Sequence, residues 1–211
     1  MNALPIVFLC AALHAAAPVA AAERVPAAGD RVTDPLAVAV PADQVAVFFQ
    51  GLRGVIRLAD AARRAGAPVL SWLAVPPGDA PTWERYQDQL CLSFAGMNRV
   101  LGPLLVRSVA VTGSASFLRP GSDLAMLFET DNDALFLYLA LRHYAARTAH
   151  PDARAEFGLR GRQVFYGLST LDRRLSSWVM RIPDLGLVVT NSRDQIDAIA
   201  VYLLSLTSSP T

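Results

Sequence analysis

The 211-residue chain contains no lysine: all 19 of its basic residues are arginine, set against 18 acids. That absence removes a phosphate-loop lysine, a Schiff-base lysine and a Ser-x-x-Lys nucleophile pair, and with them three large classes of enzyme. A formal net charge of +1 gives no positive excess to displace counterions from phosphates, which excludes non-specific nucleic-acid binding. Cysteine is nearly absent as well, with Cys10 and Cys91 alone. No disulfide framework can be built from them. Nor is a stable transmembrane span expected, because crossing a bilayer takes about 20 consecutive apolar residues.

What the chain does have is an apolar composition, 53% hydrophobic, and a leader that reads as an export signal. Residues 1–22 hold an unbroken apolar core from Ile6 to Leu13, then Pro18, then the small residues Ala20 and Ala22 ahead of Glu23. This is the pattern signal peptidase recognises, although the amino terminus alone supplies the positive charge of the n-region. Pro5, His14 and Pro18 interrupt the stretch and argue against an uncleaved anchor. Cys10 follows Phe8 and Leu9 rather than a small residue, which argues against lipid attachment. The expected location is therefore periplasmic or extracellular, after cleavage near Ala22. Cleavage leaves 189 residues, enough to bury roughly 70% of the unfolded surface in one core. Cys91 then remains as a lone thiol among Leu90, Leu92 and Phe94, the setting of a small buried hydrophobe.

The periodicity predicts the elements. Residues 23–43, with Pro26, Gly29, Pro35 and Pro41, read as a flexible lead-in to a single domain over 44–206, and 207–211 as a frayed tail. Val45 to Phe49 reads as a strand, Gln50 to Ala65 as an amphipathic helix and Thr82 to Leu101 as one further helix. Val106 to Thr112 and Leu124 to Glu129 form an expected long-looped hairpin. Asp131-Asn132-Asp133 caps a helix reaching Thr148. A link containing Gly and Arg then leads to a meander of Gln163 to Ser169, Leu175 to Ile182 and Leu185 to Thr190. Ser192 and Gln195 have capping-box spacing at the start of a last helix. This order predicts an α+β fold, an antiparallel sheet with helices packed mainly on one face.

Four stretches, PADQVAVFF, VRSVAVTGS, GSDLAMLFET and DLGLVVTNSRDQIDAI, together resemble a group of exported bacterial proteins of unknown function. In that group a P-A-D phrase opens a strand, an L-F-E strand precedes a helix, and a V-V-x-x-N-S strand end launches another. The resemblance spans roughly residues 41 to 200. It implies an α+β module, secreted or membrane-associated, with no established activity.

Several side-chain groups invite chemistry. Glu129, Asp131 and Asp133 have alternate-residue spacing, but the helix that follows at once makes Asp131 and Asp133 capping residues rather than calcium ligands. His143 and His150 lack a third ligand, so no metal is expected. Ser114, Ser116 and Ser122, with Asp123 adjacent, occupy the hairpin loop without a Gly-x-Ser-x-Gly elbow. The strongest unevenness is charge: residues 142 to 181 contain eight arginines and three acids. Of these, Arg160, Arg162, Arg173 and Arg174 lie at expected strand ends, where they could converge on an anion. The functional expectation is a non-enzymatic binding or envelope-assembly module, requiring no cofactor, whose partner is an envelope protein or an anionic ligand. The alternative is an exported hydrolase using a serine of the 113–123 loop with His143.

Overall fold

A computed structural model of the chain describes residues 34–61, 82–93, 102–114, 123–161 and 163–207. Residues 1–22, where an export signal is expected, and residues 208–211 lie outside them. The described chain forms a seven-stranded antiparallel sheet with helices, so the α+β class holds. In chain order the elements are β1 (Gln44–Phe49), α1 (52–61), α2 (Thr82–Gln89), β2 (Ser108–Ser114), β3 (Leu124–Glu129), α3 (Asp133–Ala149), β4 (Arg154–Arg160), β5 (Gln163–Ser169), β6 (Ser176–Ile182), β7 (Gly186–Thr190) and α4 (Arg193–Thr207), with a single helical turn over 102–105 ahead of β2. The sheet order is β1-β2-β3-β7-β6-β5-β4. After β3, helix α3 carries the chain to the far edge, and β4 to β7 return as a meander until β7 meets β3.

Two-sided burial fixes the centre of this sheet. In β3, Met126 and Phe128 enter the core on one face while Ala125 and Leu127 enter the core on the other. The first core also holds Leu52, Val55 and Ile56 of α1, Leu90 after α2, and Leu139 of α3. The second holds Ile196, Ile199 and Ala200 of α4 with Leu36 and Ala39. Among the described residues, α1, the turn after α2 and α3 thus pack into the first core, and α4 with the Pro35–Ala39 turn into the second.

Three local readings are corrected. Residues 34–40 are not a loose lead-in: Asp34 caps a 3-10 turn, Pro35–Ala39, by accepting from the Leu36 amide at 2.9 Å. Leu36 and Ala39 are fully buried by that turn, and proline at its first position is pre-set for such a start. The helix from Thr82 ends at Gln89 instead of running to Leu101. Its end is a Schellman motif, with Leu92 N–H on Gln87 O at 2.8 Å, Cys91 N–H on Asp88 O at 3.1 Å, and Cys91 left-handed at φ 54°. Glycine normally takes that place, so no residue type signals the stop; residues 94–101 lie outside the described set. Finally, no capping box forms at α4. The Gln195 amide instead exchanges hydrogen bonds with Gln44 of β1 at 2.6 and 3.1 Å, and the Ser192 N–H donates to Thr190 Oγ1 at 3.2 Å.

The link between α3 and the meander is a strand. Arg154–Arg160 pairs along its whole length with β5. Its glycine is matched to an aromatic neighbour: a Cβ at Gly158 would sit 2.8 Å from the Phe165 ring directly across the ladder. Gly167 has the same relation to Trp178, at 2.1 Å. Each ring lies in the space a side chain would fill, the pairing that offsets glycine's weak strand preference.

At the turn into β7, Gly186 has φ +147° and a Cβ there would stand 2.0 Å from the Phe128 carbonyl oxygen. Backbone on one side and strain on the other leave no room to relax. Gly186→Ala is expected to lower unfolding free energy by about 2–4 kcal/mol. Urea denaturation checks this; a midpoint equal to wild type would show that β7 does not approach β3 as described.

Candidate functional site: the β4 edge and the cleft beside α3

Antiparallel geometry first decides the arginine set. The β4–β5 turn and the β5–β6 turn lie at opposite ends of β5, whose six steps span about 20 Å. Arg160 stands at one end, Arg173 and Arg174 at the other. Their convergence on one anion is therefore not formed, and Arg162 lies outside the described residues. Each of the three has a local role. Arg160 lies over the Phe165 ring at 5.1 Å and pairs with Asp197 of α4. Arg174 pairs with Asp172, whose carboxyl is held at about 2, first by the Thr170 hydroxyl and then by the Arg174 amide. Arg173 takes a left-handed turn position, φ 56°, and its carbonyl accepts from Gln89 Nε2 at 3.0 Å.

The acids after β3 are structural too. Asn132 is the N-cap of α3, accepting from the Ala134 amide at 2.8 Å, with Asp133 in the first turn. Arg107 bridges Glu129 and Asp131 at 3.0 and 2.9 Å, and Arg181 pairs with Asp133 while lying over Phe136. Among the described residues no group of three His, Cys, Asp or Glu side chains could hold a metal.

His143 faces inward. Its Nδ1 meets the Leu139 carbonyl at 2.8 Å and its Nε2 the Ser177 carbonyl at 3.4 Å, with Tyr166 packed edge-on at 5.1 Å. Burial pulls its pKa below the ordinary histidine value against the opposing pull of the two carbonyls. The Ser177 hydroxyl is turned away, donating to Leu90 O at 2.7 Å. From there to Ser114 the sheet interposes β7 and β3, three ladder steps or about 14 Å. Both His143 nitrogens thus face backbone carbonyls, with the Ser114 strand well removed, and Ser116 and Ser122 lie outside the described residues. His150 is the C-cap of α3. Behind this ring, burial pushes the Cys91 thiol up to about 11, an inert state for a thiol. The Tyr166 hydroxyl is also buried, with no hydrogen-bond partner among the described residues.

The surface that lacks internal employment lies beside this cluster. Helix α3 covers β5 and β6 but stops short of β4, leaving a cleft of about 260 Å³ walled by Tyr144 and Arg147 of α3 and by Phe157, Tyr166 and Leu168. On β4 the usual amphipathic sense is reversed. Its apolar side chains are open, Phe157 at 73% and Leu159 at 61% exposure, and Tyr144 across the cleft is 74% exposed. Two of its charged side chains are half-covered, because Glu156 pairs with Arg193 and Arg160 with Asp197, both on α4, while Arg154 at the strand's start is exposed. Among the described residues β4 has β5 alone as a strand neighbour, so its outer amides and carbonyls have no strand partner, and of them the Leu159 carbonyl accepts from Arg160 Nη1 at 3.0 Å. The alternation Ala155, Phe157, Leu159 was the available signal for this edge; the interleaved charges and Gly158 concealed it.

Two measurements check the polar interior. His143, with its folded pKa below the unfolded value, binds fewer protons in the native state. Stability is therefore full above pH ~6.5 and falls as pH drops below it; urea midpoints between pH 7 and pH 5 should show that loss, and His143→Gln should flatten it. For Cys91, thiol labelling at pH 8 in the native state should run at least roughly 100-fold slower than in denaturant; equal rates would contradict its burial. Comparison with family models, with curated proteins and with solved structures finds no match for the chain.

Proposed function

We propose that the chain is an exported, non-enzymatic binding module that takes a protein partner along β4 and the cleft beside α3. The observation that carries this is the inverted strand, with Phe157 and Leu159 in solvent and Glu156 and Arg160 drawn back onto α4. A long, unbulged edge strand with a bare apolar face is a liability unless something covers it. Edge addition also suits recognition: main-chain hydrogen bonds supply affinity and alternate side chains supply selectivity. Export by residues 1–22 and the resemblance of residues 41 to 200 to secreted modules of unknown function support an envelope setting. No helix among the described residues is long and apolar enough to cross a membrane. The serine loop with His143 has no comparable support, since both ring nitrogens face carbonyls.

The test is site-specific photo-cross-linking in intact cells. A probe at Phe157 should give discrete adducts that a probe at Leu171, exposed in the β5–β6 turn, does not give. Leu159→Glu, at an exposed position costing within about 0.5 kcal/mol of stability, should abolish them. Identical patterns at the two probe sites would refute the reading.

A further inference from the structure

We infer that the occupant of the β4 edge is a second copy of this chain, paired antiparallel through β4 about a two-fold axis at Gly158. This rests on the reading of β4 as a docking edge and adds its partner. A two-fold interface must be self-complementary: whatever residue i meets in residue j, j must meet in i. The sequence of β4, Arg154-Ala-Glu-Phe-Gly-Leu-Arg160, meets that condition over the five residues 156–160 when the axis is at Gly158. Centred on Gly158, Glu156 of each copy opposes Arg160 of the other, and Phe157 opposes Leu159. The charged pairs fall on the face covered by α4 and the apolar pairs on the open face, because alternate residues keep to their own side.

Charge selects this register over its neighbour. Centring on Phe157 would instead set Arg154 against Arg160 of the other copy, a destabilising like-charge pair. In the Gly158 register the internal ion pairs extend into a line of alternating sign, with Arg193 and Glu156 of one copy followed by Arg160 and Asp197 of the other. On the opposite face, the two clefts join into one apolar surface floored by Phe157 and Leu159 of both copies. The other sheet edge offers no such selection, since β1, QVAVFF, carries no charge.

Sedimentation of the full exported chain at micromolar concentration tests this. Wild type is expected to be a dimer. Glu156→Arg alone and Arg160→Glu alone should each weaken it by roughly tenfold or more, because each creates two like-charge oppositions. An equimolar mixture of the two variants should restore the dimer, since every opposed pair is then of opposite sign. Thermal midpoints near wild type would show that both variants fold. A monomeric wild type, or a dimer indifferent to both reversals, overturns the inference. If the wild type is monomeric while a Phe157 probe captures a different protein, the docking reading stands and the second copy falls; if neither occurs, both fall.

Discussion

Everything in this fold depends on the pairing of β3 with β7. The two strands are brought together across the long excursion through α3 and the meander, and among the described strands theirs is the pairing that joins the β1-β2-β3 half of the sheet to the β4-to-β7 half. Both ends of the pair are fastened. At one end the backbone approaches so closely at Gly186 that no side chain fits. At the other, Asn191 continues the ladder in two ways: its amide N–H donates to the Leu124 carbonyl at 3.1 Å, and its side-chain oxygen accepts from the Leu124 N–H at 2.8 Å. A slip of one residue would turn Leu187 and Val189 from one core to the other and break both fastenings. The whole arrangement is therefore set by one register.

From that centre the sheet grows outward toward two edges that are finished differently. On the β1 side, Gln44 locks to Gln195 and accepts from Thr112 at 3.0 Å, while Asp34 reaches the Ser108 hydroxyl, so the 3-10 turn and α4 close over the strands. On the β4 side, α4 fastens only the polar face. The apolar face beyond α3 is left bare, and it is this asymmetry of covering, rather than any unusual reactivity, that marks the molecule. Its buried histidine, thiol and phenol are held in their neutral forms by desolvation.

Much of the fold was legible because its central strands are continuous apolar runs with plain boundaries. Leu124–Glu129 and Gln163–Ser169 have the bounds that periodicity alone assigned. Elements failed where tertiary contacts overrode a local signal. Cys91 stops α2 in a backbone shape that sequence associates with glycine, and the turn is held from outside by Ser177 on Leu90 O and by Arg142 on Cys91 O at 3.3 Å. Gln195 abandons its local cap for Gln44, 151 residues away in sequence. The candidate site was the least legible part. Clustered arginines drew attention to charge, yet hairpin geometry sends them to opposite ends and pairs Arg160 and Arg174 with acids. The open edge was hidden because Gly158 and three charges disguise a strand whose regularity depends on Phe165 and α4.

On the proposed reading, β4 is an edge held open for another chain. Hydrogen exchange of the β4 amides that face away from β5 reads this out in the native protein. Protection comparable to that of the β5 amides, lost on dilution, is the result expected of an edge occupied by a second copy. Free exchange of those amides at every concentration, with β5 still protected, would contradict it.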